Sequence, residues 1–199
     1  MSEFWDSRFA AAEYVYGTAP NIYFKQCIDG LQPGTILVPG AGEGRDAVYT
    51  ATKGWQVAAI DLSIKGKEKA MALAANQNVQ IDYQIADAAE YTTNMQFDAI
   101  GMIYFHLPPE VRIPFHQKAI AMLKPGGMLF IEVFTPDQLT NGSSFGPKDA
   151  SMLYTSALLA EDFAGLDILE NQELEVILDE GPNHQGRSNI IRLKAIKPL

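Results

Sequence analysis

The stretch of this chain best suited to hold a ligand is Gly40-Ala41-Gly42-Glu43-Gly44. Glycines let a backbone approach a bound molecule closely and adopt positive φ without a Cβ clash. Two carboxylates follow. Asp61 lies 17 residues beyond Gly44 and can accept hydrogen bonds from both hydroxyls of a ribose. Asp87 is placed to meet an adenine amino group, with the backbone N–H of Ala88 available to a ring nitrogen. Either aspartate alone reads equally well as a helix cap or turn residue; at successive strand ends, the two together read as a nucleoside site. A dinucleotide fingerprint requires a third glycine where this chain has Arg45. Glycines at 40, 42 and 44 give G-x-G-x-G instead, which argues against NAD. The histidines are the candidates for proton transfer. His106 sits in Tyr104-Phe105-His106-Leu107-Pro108, His184 lies in a late loop, and His116, inside a helical run, reads as exposed. Among the arginines able to gather an anion, Arg112, Arg187 and Arg192, Arg187 shares the loop of His184.

The elements that position these residues follow from hydrophobic runs and their punctuation. Thr35–Val38 is a strand that leads through the glycine turn into a helix over Arg45–Lys53. Val57–Ile60 ends at Asp61 and precedes a helix over Lys65–Ala75; Val79–Ile85 precedes Asp87; Phe97–Ile103 precedes His106. Val111–Leu123 reads as a helix stopped by Pro125-Gly126-Gly127, and Met128–Phe134, nearly all apolar, as a strand buried on both faces. Leu174–Leu178 and Asn189–Ile196 leave no room for a helix between them and should pair antiparallel, joined by a loop over Asp179–Ser188. Phe145 and Tyr154 flank an irregular segment, 141–149, and are placed to wall an apolar pocket.

Composition narrows the function. The 199 residues, 47% hydrophobic and 20% charged, suit a single domain spanning 1–199. A net charge of −9 would repel a phosphate backbone, so nucleic acid is not expected as a partner. The basic residues are scattered, and Lys65, Lys67 and Lys69 spread their charge over a solvated face. No apolar run is long enough to cross a bilayer, and the first residues lack a basic, apolar leader pattern; a cytoplasmic protein without membrane contact is expected. The lone Cys27 reads as a small buried residue, and no metal-ligand constellation is visible, so no metal is expected.

The Gly40–Gly44 turn, Asp61-Leu62-Ser63, Ala86-Asp87-Ala88, Phe97-Asp98-Ala99-Ile100 and Leu123-Lys124-Pro125-Gly126-Gly127 resemble, in order, the motifs of class I S-adenosylmethionine-dependent methyltransferases. The resemblance implies an α/β fold: a Rossmann-like three-layer sandwich whose seven-stranded, mostly parallel sheet runs 3-2-1-4-5-7-6 with strand 7 antiparallel. It implies S-adenosylmethionine as cofactor, with S-adenosylhomocysteine as product. Expected cofactor contacts are Tyr16, Gly17, Gly40, Ala41, Gly42, Gly44, Asp61, Leu62, Asp87, Ala88 and Ile103. More narrowly, Trp5–Phe9, Glu13–Thr18 with Pro20-Asn21, and Glu180-Gly181-Pro182-Asn183-His184-Gln185-Gly186 resemble the tellurite-resistance-type and thiopurine-methyltransferase-like branch. That implies residues 1–30 as a lid over the cofactor, with Arg8 a candidate for its carboxylate, and an acceptor-side role for His184.

Two departures stand out. Val38 occupies the position, two before the turn, where the family usually carries an acid, and Gln185 follows His184 where the tellurite-type enzymes carry an arginine. A sulfonium methyl is already a strong electrophile, so the protein chiefly has to align a nucleophile and exclude water. His106, His184 and Arg187 are the catalytic candidates. The short 141–149 segment favours a small acceptor, such as a thiol, a selenium or tellurium species or a thiopurine-like compound. Methylation of O or N on an ordinary metabolite, and a non-catalytic cofactor-binding protein, are the alternatives. A monomer or homodimer is expected.

Overall fold

A computed structural model describes residues 2–199. Its centre is a seven-stranded sheet in the order β3-β2-β1-β4-β5-β7-β6. β1 (Thr35–Pro39), β2 (Gln56–Asp61), β3 (Asp82–Ile85), β4 (Phe97–Ile103) and β5 (Leu123–Phe134) are mutually parallel. β7 (Gln185–Ile196) is antiparallel to both β5 and β6 (Asp167–Asp179). The three inner parallel strands are apolar because both of their faces are covered: Ile36, Leu37, Ala99, Ile100, Leu129 and Phe130 are all fully buried.

Helices α1 (Ser2–Phe9), α2 (Ile22–Asp29), α3 (Arg45–Thr52), α4 (Ile64–Asn76), α5 (Pro109–Met122) and α6 (Ser156–Asp162) cover the sheet. Residues of α2, α3 and α4 pack with one side of it around Phe24, Val48 and Ala70. α5 and α6 pack with the other around Phe115, Leu159 and Phe163. No helix among the described residues is long and apolar enough to cross a membrane.

Several expectations need correction. β5 begins at Leu123, not Met128: Leu123 pairs with Phe97, the register shifts across Pro125-Gly126-Gly127, and pairing resumes at Met128 with Ala99. β6 and β7 are longer than their apolar cores and pair from Asp167 with Ile196 to Asp179 with Gln185. The joining loop is therefore residues 180–184, half the length expected. His116 is buried, its Nδ1 2.7 Å from Asp162 Oδ2. Arg112 donates to that same carboxylate oxygen. Both are thereby committed to holding α6 against α5.

Candidate active site

The parallel strands deliver their C-terminal ends to one edge of the sheet, where a cleft of about 510 Å³ opens. Its size suits a small-molecule ligand. The base of the cleft is the turn after β1, with Gly40, Ala41 and Gly42. Asp61 and Leu62 follow from the end of β2, and Asp87 and Ala88 from the segment after β3; Ile103 closes the end of β4. Tyr16 and Gly17 lie across the opening, and α1 reaches over it with Trp5, Arg8 and Phe9. Ten of the eleven expected cofactor residues therefore line one cavity.

Gly44 is the exception. It precedes α3 at φ 88°, and a Cβ there would stand 2.5 Å from the Ala70 Cβ. Its requirement for glycine comes from the packing of α3 on α4, and it does not line the cleft.

Asp61 is locked in place by the turn it faces. Its Oδ2 accepts from Gly42 N at 3.0 Å and its Oδ1 from Ser63 N at 2.8 Å. Burial raises its pKa, against the lowering effect of those backbone donors. A carboxylate has about four lone-pair sites, so both oxygens can still accept from a ribose diol. Asp87 is exposed and accepts from Ala89 N, which shapes the turn that presents Ala88 N–H.

The N-terminal segment is anchored at two places. Asp6 accepts from Ser63 Oγ at 2.6 Å and from Lys65 N, fixing α1 to the start of α4. Residues 14–17 are fixed to the 180–184 turn: Asn183 N donates to Val15 O, and Arg45 donates to both Tyr16 O and Glu180 Oε2. Beneath them lies a buried polar network that spacing in the sequence does not reveal. The Asn21 amide donates to Glu132 Oε1 and Glu180 Oε1, Tyr104 OH and Arg192 Nε donate to Glu132, and Asn21 N donates to Asp46 Oδ1. The signals that could have found it were the residues themselves: Asn21 and Glu180 fall inside the two segments that carry the branch resemblance.

His184 sits above this network, buried among four aromatic rings. The ring centroids of Tyr16, Tyr104, Phe145 and Phe134 stand 4.5, 4.6, 5.5 and 5.6 Å away. Its Nδ1 faces Glu180 Oε2 at 3.5 Å. Burial lowers the His184 pKa more than Glu180 raises it, so the neutral imidazole is favoured. Burial works against a charged Glu180, but His184 and Arg45 outweigh it and hold the carboxyl at about 2.

His106 also lines the cleft, but both of its ring nitrogens are engaged. Nδ1 meets Met152 O at 2.6 Å and Nε2 meets Phe134 N at 3.2 Å. A carbonyl can only accept and an amide N–H can only donate, so the ring is neutral with its proton on Nδ1. Burial carries its pKa down to about 4. This geometry removes His106 as a general base. Arg187 is exposed on β7, paired with Glu175 and outside the cleft. Tyr154 is fully buried, its hydroxyl accepting from Leu107 N, and does not wall a pocket. Among the described residues no cluster of His, Cys, Asp and Glu could hold a metal ion.

A sheet of this order, with a glycine turn and successive carboxylates at one end, defines a Rossmann-like methyltransferase, and comparison with known proteins agrees. Residues 36–127 match the family model of the methyltransferase domain. That match places a methyltransferase domain over residues 36–127, within a chain whose fold is that of the class I S-adenosylmethionine-dependent methyltransferases. It is 29% identical over 163 residues to the Arabidopsis thaliana protein named probable thiol methyltransferase 2, an alignment covering 79% of this chain and 70% of that one. It is 31% identical over 116 residues to a ubiquinone biosynthesis O-methyltransferase of Histophilus somni, covering 54% and 48% respectively. Among solved structures it resembles TehB from Haemophilus influenzae, with a TM-score of 0.74, 16% identity and coverage of 98% of this chain and 66% of that one. It also resembles the N-methyltransferase NodS of Bradyrhizobium japonicum in complex with S-adenosylhomocysteine, with a TM-score of 0.76, 12% identity and coverage of 100% and 98%.

Proposed function

We propose that this enzyme methylates a small acceptor through a polarizable atom, a thiolate in the first instance, held against the aromatic surround of His184. The observation that carries the reading is the proton inventory of the cleft wall. His106 has no free nitrogen, which leaves neutral His184 as the histidine able to take a proton. Its Nδ1 edge faces Glu180, so Nε2 is the atom offered to an acceptor in the cleft. A neutral imidazole matches the acidity of a thiol far better than that of an alcohol, because proton transfer is most effective between groups of similar pKa. The aromatic rings favour sulfur and other soft, apolar groups. The bound cofactor supplies the electrophilic methyl group. The protein orients the acceptor, excludes water under α1 and residues 14–17 acting as a lid, and receives the acceptor's proton at His184.

The Glu180–His184 pair also gives a specific basis for a second reading, methylation of an acidic hydroxyl or amine with the same imidazole as base. A matched series of benzenethiol, phenol and aniline tests the choice. The thiol reading expects turnover of benzenethiol well above the other two, with His184→Ala reducing it least at pH values where the thiol is already ionised. Preference for phenol or aniline, abolished by His184→Ala at every pH, overturns it in favour of the second.

A further inference from the structure

The methionine end of the cofactor carries an α-ammonium, and a cation enclosed by protein needs an anionic or carbonyl partner. Val38, on β1 two residues before the glycine turn, is buried and offers neither a charge nor a side-chain dipole. Five acidic residues line the cleft: Glu43, Asp46, Asp61, Asp87 and Asp149. Asp61 and Asp87 are at the nucleoside end, each holding backbone N–H groups. Asp149 is exposed and accepts from Ser151 N. Glu43 is spent, with Oε1 on Lys69 Nζ at 2.6 Å and Oε2 accepting from Tyr16 N.

Asp46 is different. It is buried in the first turn of α3, directly after the glycine turn, and its Oδ1 accepts from Asn21 N at 2.7 Å. Its Oδ2 receives no hydrogen bond. The nearest cationic atom, Arg45 Nε, is 3.8 Å away, and the other two guanidinium nitrogens of Arg45 are engaged with Tyr16 O and Glu180. Asp46 lines the cleft, so this oxygen is left to accept from a donor on a bound molecule.

We infer that Asp46 binds the α-ammonium of S-adenosylmethionine through Oδ2, supplying from the start of α3 the carboxylate that β1 lacks at Val38. The inference rests on the cofactor assignment and is independent of the acceptor. Burial, helped by Glu180 and Glu132 and opposed by Arg45 and the Asn21 N–H, carries the Asp46 carboxyl up to about 6, and an ammonium beside it would restore the charged form.

The test is calorimetric titration of wild type and Asp46→Asn with two ligands. S-adenosylhomocysteine carries the ammonium; 5′-methylthioadenosine has the same nucleoside and no amino-acid head. The amide keeps an oxygen for Asn21 N, and Asp46→Ser serves as a second variant if the amide variant does not fold. The expected result is a loss of about 10- to 100-fold for S-adenosylhomocysteine, with 5′-methylthioadenosine held within about twofold. Equal loss for both ligands would make Asp46 a purely structural residue, and unchanged S-adenosylhomocysteine affinity would place the ammonium elsewhere; either overturns the inference. Failure of the wild type to bind either ligand would instead overturn the cofactor assignment beneath it.

Discussion

At His106 the Nδ1–H goes to Met152 O and the Nε2 lone pair takes the Phe134 N–H, so protonation can only break a bond. That fixes the sign of its contribution to stability. With a folded pKa of about 4 against about 6.5 in the unfolded chain, the unfolded chain binds the extra proton between these values. Stability is fully present above about pH 6.5 and is lost as the pH falls toward 4. His106→Ala should therefore cost about 1 to 3 kcal/mol at pH 7.5, the usual range for stranding buried partners, and less at pH 5; denaturant midpoints at the two pH values check this. An equal loss at both would show that the imidazole does not titrate this way. Asp61 makes a second prediction at this scale. Asp61→Ala should weaken S-adenosylhomocysteine binding by about 1 to 3 kcal/mol, and unchanged affinity in a calorimetric titration would reduce Asp61 to a residue that shapes the turn.

Among the elements, the 14–17 segment and the 180–184 turn behave as one clamp across the cleft, and Gly181 is where they touch. Its φ is 81°, and a Cβ there would lie 2.4 Å from Gly17 N and 2.6 Å from Tyr16 C, with backbone atoms that cannot swing aside. Gly181→Ala should push Tyr16 and Gly17 off the cleft and lower cofactor affinity while the parallel sheet keeps its protection in amide exchange; unaltered affinity would mean the clamp does not bear on the cofactor. The same elements show what a sequence can and cannot convey. β1, β2 and β4 were legible because runs such as Ile36–Val38 and Ala99–Ile103 are apolar throughout, as burial on both faces demands. α6 was missed because Ser156-Ala157-Leu158-Leu159-Ala160-Glu161-Asp162 is too short to show a helical period. That the two carboxylates share one cleft was legible because Asp61 and Asp87 each lie beside the strand end that places them. His116, Arg112 and Gly44 were misread because Asp162 and Ala70, which explain them, lie far along the chain. The candidate base His106 failed for a similar reason: its partner Met152 lies 46 residues away.

Over the whole molecule, the net charge of −9 sets up a field that favours cations. S-adenosylmethionine carries one more positive charge than S-adenosylhomocysteine, so the protein's own charge should help draw in substrate and release product. Raising the ionic strength from about 0.02 to 0.5 M shortens the screening length several-fold and should weaken S-adenosylmethionine binding more than S-adenosylhomocysteine binding; parallel titrations at both salt concentrations decide it, and equal changes would remove this role for net charge. The central claim concerns the fate of the methyl group, and it is tested most directly by incubating the enzyme with S-adenosylmethionine and an equimolar mixture of benzenethiol and phenol, then quantifying products by mass spectrometry. The account predicts methyl phenyl sulfide accumulating in step with S-adenosylhomocysteine and little anisole. Anisole in excess, or S-adenosylhomocysteine formed without either methylated product, would contradict it.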